Sequence, residues 1–323
     1  MALSFDYYKA SDGLAIRWGC SAGRTKPARG TILFLNGRTE YMEKYAEVVE
    51  ELDQRGLVVY SCDWRGQGLS GRMLADRHKG HVVSFEDYLR DLDQLMEMIR
   101  RKAPAPIMIL GHSMGGHIAA RLVERYPGFF DRVVMTSPMI DIQLPWFLPR
   151  PMFRWLVGLG LRQGRQDAYA LGHGGYKAKD RRFEGNLLTA DRFRFERNVA
   201  MIQQDPRLAV GGVTYGWLNA ALQSIDHVAS ATFARSFRVP LLMVTAAEDR
   251  IVCERAQAAF CRNAPDCRMA RIEGARHELL VETDPRRQQF WKAFDHFLED
   301  AIARQGAGGN PPGQDETRSA QKV

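Results

Sequence analysis

The chain has 323 residues, 45% of them hydrophobic and 26% charged, with a formal net charge of +7. These proportions match an ordinary globular protein of one large domain or two modest ones, long enough to bury a core without staples. No run approaches the ~18 apolar residues of a membrane span, and MALSFDYYKASDG has neither the basic nor the apolar segment of a secretory signal. Five cysteines (Cys20, Cys62, Cys253, Cys261 and Cys267) form an odd, scattered set with no CxxC pair. Reduced thiols in a cytosolic compartment are expected, rather than a disulfide framework or a zinc site.

In chain order, FDYYKA and LAIRWGC flank the turn signal Ser11-Asp12-Gly13 and predict a hairpin. TILFLNG (31–37) predicts a buried strand, residues 41–55 an amphipathic helix, and LVVYSCDWRG (57–66) the next strand. A helix follows over 85–101, a strand over 106–111, a helix over 114–126 and a strand over 132–138. The alternation resumes with a strand at 240–249, a helix around 253–262, a strand at 267–274 and a final helix over about 284–304. Repeated β-then-α order implies an α/β fold, a mostly parallel sheet covered by helices on both faces. Residues 139–235 break the pattern with an Arg-, Gly- and aromatic-rich stretch, expected to form a mostly helical cap. The expected division is a core of 1–138 and 236–305, the cap, and a disordered Gly/Pro/polar tail over 306–323.

Within this order, 110-LGHSMGGHIA-119 places one serine between Gly111 and Gly115. An apolar strand runs into it and an amphipathic helix runs out, the strand–sharp turn–helix context of a nucleophile elbow. The turn forces Ser113 into a strained conformation in which neighbouring side chains would clash, and the two glycines remove them. The alternative is a small residue in a glycine-rich turn.

A serine nucleophile needs a base, and the base an orienting acid, in the chain order Ser, Asp/Glu, His. His112 and His117 adjoin the elbow itself, His78 and His81 precede it, His173 and His227 fall in the insertion, and His296 lies inside the last helix. His277, in the loop EGARHEL after a strand, remains. TAAEDR supplies the acid; Asp249 is preferred and Glu248 is the alternative. For the oxyanion, the expected donors are the backbone N–H of Met114 and that of Arg38 in 36-NGRTEY-41. The Arg38 side chain is open to a structural role or to substrate charge. In 63-DWRGQGLSGR-72, Asp63 and Arg65 are expected to form a structural ion pair.

The combination NGRTEYMEKYAEV, CDWRGQGLSGR, GHSMGGHIAARL, TAAEDR and EGARHELL resembles the α/β-hydrolase superfamily. Within it, the chain resembles the bacterial lysophospholipase and monoacylglycerol-lipase group, often labelled serine aminopeptidase-like. The stretches GYKAKDRRFEGNLLTADRFRFERN and DPRLAVGGVTYGWL resemble the cap of the bacterial lysophospholipases, so the likeness covers roughly residues 5–300. It implies the α/β-hydrolase fold, a Ser113–Asp249–His277 triad, no metal and no organic cofactor. The activity it implies is a serine ester hydrolase acting on monoacyl lipids. In place of the group's usual His-Gly, the first oxyanion loop here begins Asn36-Gly37. A small-ester carboxylesterase or peptidase of the same fold is a second reading, and a non-catalytic binding protein a third.

The insertion opens with 144-LPWFLPRPMFRWLVGLGLRQG-164, where Arg150, Arg154 and Arg162 interrupt strongly apolar residues. Two short helices packed on each other and on the core would absorb most of the apolar side chains. An acyl-chain tunnel or an interfacial lip is the functional counterpart, with Trp146 and Phe147 as candidate substrate contacts. Thr214, Tyr215 and Trp217 are expected to line a pocket beneath. Residues 139–235 hold 13 Lys/Arg against 8 Asp/Glu, most of the chain's positive excess. A basic, aromatic cap suits a small amphiphilic ester and peripheral contact with an anionic membrane surface. Nucleic acid fits worse, because the charges are interleaved with apolar residues and no binding motif accompanies them.

Overall fold

The structure, a computed structural model, describes residues 3–23 and 27–307, with backbone alone for 300–307. The hairpin is β1 (Leu3–Lys9) and β2 (Ala15–Ser21), closed by Gly13 at φ 83°. It is followed by β3 (Gly30–Leu35), α1 (Ala46–Gln54), β4 (Leu57–Cys62), α2 (Phe85–Lys102), β5 (Ile107–His112), α3 (Met114–Arg125) and β6 (Arg132–Thr136). Four helices come next: α4 (Arg150–Arg162), α5 (Arg192–Gln204), α6 (Tyr215–Val228) and α7 (Ala231–Ser236). The chain then returns to the sheet with β7 (Leu241–Ala246), α8 (Glu254–Asn263), β8 (Cys267–Ile272) and α9 (Asp284–Ala307). Residues 306 and 307, expected in the tail, close α9; the remainder of that expectation lies outside the described residues.

One eight-stranded sheet runs in the order β1-β2-β4-β3-β5-β6-β7-β8. From β4 to β8 every neighbouring pair is parallel, and the hairpin adds two antiparallel strands at one edge. The chain leaves β3 for β4 on one side and then crosses to β5 on the other. Strand order reverses there, which opens a crevice beyond the carboxyl ends of β3 and β5.

The strand period of two divides the core. Ile32 and Phe34 of β3, with Met108 and Leu110 of β5, meet Val48, Val49 and Leu52 of α1 and Phe290, Phe294 and Leu298 of α9. Leu33, Leu35 and Ile109 face the other way, against Leu92, Leu95 and Met96 of α2 and Ile118, Ala119 and Leu122 of α3. Each large apolar side chain buried in this way contributes roughly 1.5–3 kcal/mol to holding the layers together. Ser84 caps α2: its hydroxyl accepts from the Glu86 N–H at 3.1 Å, and its own N–H donates to Asp87 at 3.2 Å.

Three expectations are corrected here. First, Cys261 and Cys267 are disulfide-bonded across the turn from α8 to β8, with Cα atoms 5.3 Å apart, whereas Cys20, Cys62 and Cys253 are free. An odd count requires one unpaired thiol but does not forbid a pair, and the argument for a reducing compartment loses its support. Second, Asp63 and Arg65 do not pair with each other. Asp63 binds Arg17 at 3.1 Å, while Arg65 binds Asp91 at 2.5 Å and Asp12 at 2.9 Å. Third, residues 144–164 form a turn and one helix, not two packed helices. Trp146 is 94% exposed and Phe147 64%. No helix among the described residues is long and apolar enough to cross a membrane.

Candidate active site

Ser113 sits between β5 and α3 at φ 54°, ψ −116°, a conformation L-residues rarely adopt. Among the described residues only two other non-glycine residues have positive φ, Thr39 and Ser137. They follow β3 and β6, so the backbone strain gathers at the carboxyl ends of three adjacent strands. The glycines around the serine are tightly held. A Cβ on Gly115 would stand 2.0 Å from the Leu35 carbonyl oxygen, and one on Gly111 2.8 Å from that of Gly115.

The loops after β7 and β8 bring two further groups to this point. His277 Nε2 lies 2.9 Å from Ser113 Oγ, and its Nδ1 lies 2.7 Å from Asp249 Oδ2. The other Asp249 oxygen accepts the N–H groups of Ile251 at 2.8 Å and Val252 at 3.1 Å. Burial raises the Asp249 pKa, but the hydrogen bond and charge of His277 and the two N–H donors outweigh it and hold the carboxyl below its ordinary range. The alternative, Glu248, is exposed and its backbone N–H binds Ala275. Ser113, Asp249 and His277 are therefore brought together, and Glu248 is not.

Met114 opens α3, where the first N–H groups have no intrahelical acceptor. The loop 36–40 lies against the elbow: a Cβ on Gly37 would come 3.2 Å from the His112 ring. The same loop abuts the start of α3, where a Cβ on Gly115 would also come 2.5 Å from the Asn36 carbonyl oxygen.

Sequence reasoning missed the groups that hold this loop. Glu40 accepts the Gly37 N–H and binds Lys44 Nζ at 2.7 Å, and Lys44 also binds Glu278 at 2.6 Å. All three are buried. Burial opposes ionisation of Glu40, yet the Lys44 and His112 charges keep its carboxyl below the ordinary range. His112 is pushed down to about 4, chiefly by burial, and its ring centroid is 5.0 Å from that of His277. One ionic knot therefore ties the loop after β3 to the residue following His277. The i,i+4 pair in EYMEK was its one visible trace; its partner lies in a loop more than two hundred residues away.

Other candidates have partners elsewhere in the fold. His117 Nε2 bonds Ser224 at 2.7 Å and its Nδ1 the Met139 carbonyl at 2.9 Å. Thr214 caps α6 through the Trp217 N–H at 3.1 Å and bonds His81 at 2.9 Å, and is fully buried. Tyr215 packs beneath α4, where a Cβ on Gly160 would meet its ring at 2.5 Å. Trp217 Nε1 donates to the Tyr88 hydroxyl at 3.1 Å. Trp146 and Phe147 face solvent.

A hydroxyl, an imidazole and a carboxylate in line at the carboxyl edge of a mainly parallel sheet, on this strand order, belong to the serine hydrolases of the α/β-hydrolase fold. Comparison with known proteins narrows the class. The family model described as serine aminopeptidase, S33, matches residues 26–284, and the chain belongs to that family. It is 36% identical over 277 residues to lysophospholipase L2 of Escherichia coli K12, covering 83% of this chain and 79% of that protein. Over a shorter span of 114 residues it is 31% identical to a monoacylglycerol lipase of Mycolicibacterium smegmatis, 35% of this chain and 39% of that one. Among solved structures, a soluble variant of monoglyceride lipase from Saccharomyces cerevisiae superposes with a TM-score of 0.73. Its identity is 18%, covering 93% of this chain and 96% of that one, a likeness of fold.

Proposed function

We propose that the protein is a serine ester hydrolase that cleaves the acyl ester of monoacyl lipids, lysophospholipids or monoacylglycerols, through an acyl-enzyme. The observation that carries this reading is the continuous hydrogen-bonded line from Asp249 through His277 to Ser113. The names of the relatives support the substrate class. Ser113 Oγ attacks the acyl carbonyl while His277 Nε2 takes the serine proton. Asp249 holds the imidazole in the tautomer that presents Nε2 to the serine and stabilises the imidazolium that forms. The backbone N–H groups of Met114 and Arg38 receive the negative charge developing on the carbonyl oxygen. His277 returns the proton to the leaving alcohol, and water, activated by the same imidazole, releases the fatty acid. Residues 1–138 and 236–305 serve as the core in this reading and 139–235 as the cap.

A substrate panel tests the class. Esters of one alcohol with butyryl and palmitoyl chains, 1-palmitoyl monoacyl lipids and an aminoacyl amide are compared by kcat/KM. The long-chain esters are expected to lead by about tenfold or more over butyryl, since each added buried methylene is worth about 0.8 kcal/mol. Preference for the amide would overturn the lipid reading in favour of a peptidase. Absence of Ser113 labelling by a fluorophosphonate in folded protein would favour a binding protein.

The exposed aromatic residues of the cap support peripheral docking on a membrane. Trp146, Phe147 and Trp155 lie on one short stretch at 94%, 64% and 57% exposure, with Met152 at 43%. Arg150 is bound by Asp141 and Arg154 by Asp226, so insertion of the rings, rather than charge, carries the contact. Replacing Trp146 and Phe147 together by alanine is expected to weaken binding to phosphatidylglycerol-containing vesicles by about tenfold or more. Vesicle sedimentation that does not change between the two proteins would remove the docking role.

A further inference from the structure

From the loop after β3 the side chain of Arg38 enters the seam between the sheet and the cap residues. The residue is half-buried. Nη1 donates to the Gly211 carbonyl at 3.1 Å, and the guanidinium carbon lies 5.6 Å from the centre of the Trp217 ring. A guanidinium carries five N–H donors, and among the described residues that of Arg38 makes this one hydrogen bond and has no carboxylate partner. Other arginines withdrawn from solvent are treated differently. Arg17 binds Glu43 and Asp63, Arg65 binds Asp91 and Asp12, and Arg287 binds Glu47 and Glu51. Arg72, which lacks an acid, spends its donors on the carbonyls of Gly68, Ser70, Arg77 and Arg207.

The titratable groups that act on Arg38 are Tyr88, Arg181 and His173. Burial pushes the Arg38 pKa down to about 10, opposed by Tyr88 and assisted by the Arg181 charge, and burial together with Arg38 lowers that of His173. Two glycine-rich stretches that the mechanism leaves unused, LGHGGY (171–176) and VGGV (210–213), hold these groups together. Gly212 N–H donates to the Gly174 carbonyl at 2.8 Å, and Gly211 N–H to that of His78 at 2.7 Å. A Cβ on Gly212 would stand 2.5 Å from His173 Cβ, so bare backbone is what lets the stretches close. Beside them Arg181 lies over the Tyr176 ring at 5.2 Å, and the buried Tyr176 hydroxyl has no hydrogen-bond partner.

Donors left unspent, the like charge of Arg181 and no carboxylate partner among the described residues describe a seam that an anion completes. We propose that Arg38, assisted by Arg181 and His173, receives the phosphodiester of a lysophospholipid headgroup and makes the protein select that lipid over an uncharged monoacylglycerol. This rests on the ester-hydrolase reading above. In this reading one residue serves both ends of the substrate: its main-chain N–H is the proposed donor to the ester carbonyl oxygen and its guanidinium receives the phosphate, with the glycerol spacer between.

The test compares kcat/KM for 1-palmitoyl-lysophosphatidylglycerol and 1-palmitoylglycerol, which share acyl chain and ester. In Arg38→Met the ratio is expected to fall by about tenfold or more, because contacts to ester and acyl chain cancel. Arg181→Ala, at an exposed position that carries little folding risk, lowers the same ratio by about threefold. A ratio unmoved in both variants overturns the assignment and leaves the hydrolase reading standing; wild-type protein that turns over neither lipid sinks both. With the wild-type enzyme and 1-palmitoylglycerol as substrate, glycerophosphocholine is expected to inhibit more strongly than inorganic phosphate. Equal inhibition would assign the seam to free phosphate and overturn the headgroup role.

Discussion

Replacing Ser113 by alanine is expected to lower kcat on a long-chain monoacyl ester by a factor on the order of 10⁴ to 10⁶, with the unfolding midpoint little changed. The loss is large because the hydroxyl is the atom proposed to form the acyl-enzyme, and no neighbouring side chain can replace it. His112 is turned toward Thr136, with Nδ1 3.1 Å from both its carbonyl and its hydroxyl. Thr136 itself is fully buried. A residual rate above water is expected to survive, since the backbone donors and the bound acyl chain remain. Folding is spared because the hydroxyl makes one side-chain hydrogen bond, to His277, in a position already strained in its backbone. Initial rates and a urea titration on the same preparation separate the two effects. Near-wild-type turnover in the variant would remove Ser113 as nucleophile.

The largest effect on stability is expected at Gly115. An alanine Cβ there would lie 2.0 Å from the Leu35 carbonyl oxygen and 2.5 Å from that of Asn36. Both are backbone atoms at the end of β3, so no side chain can swing away. Either α3 lifts from the sheet or the loop 36–40 shifts, and the second displaces the proposed oxyanion donor as well. Gly115→Ala is expected to cost about 3 kcal/mol or more, the upper range for overpacking, and to lower kcat in whatever fraction folds. Gly158, inside α4, supplies the contrast: a Cβ there meets nothing within 4 Å and its φ is helical. Gly158→Ala is expected to be neutral or stabilising by up to about 1 kcal/mol. Urea midpoints for the two variants check the pair, and equal midpoints would refute the steric argument.

Much of the candidate site was legible in the sequence. The strand and helix periods placed β5 and α3 on either side of Ser113, and chain order singled out His277 from eight histidines. Less legible was which of two adjacent carboxylates meets the imidazole. Glu248 and Asp249 differ by one position in a turn, and the turn decides which side chain faces the histidine and which faces water. The Glu40–Lys44–Glu278 knot was invisible for a related reason. Glu278 acquires its meaning only when the loop after β8 is laid beside the loop after β3. The cap was read least well, because aromatic spacing alone does not distinguish rings that pack from rings that face solvent.

By itself, then, the sequence determined the local geometry: where strands and helices form, which faces are apolar, and which residues stand at strand ends. These follow from periods of 2 and 3.6 residues and from glycines at tight turns, which act over a few positions of chain. Tertiary structure alone decided the partners. Ser113 and His277 are 164 positions apart, Arg38 and Gly211 are 173, and the Cys261–Cys267 bond needs a helix end and a strand start to meet. Whether two such groups pair depends on the packing of every layer between them, and no window of sequence contains that information.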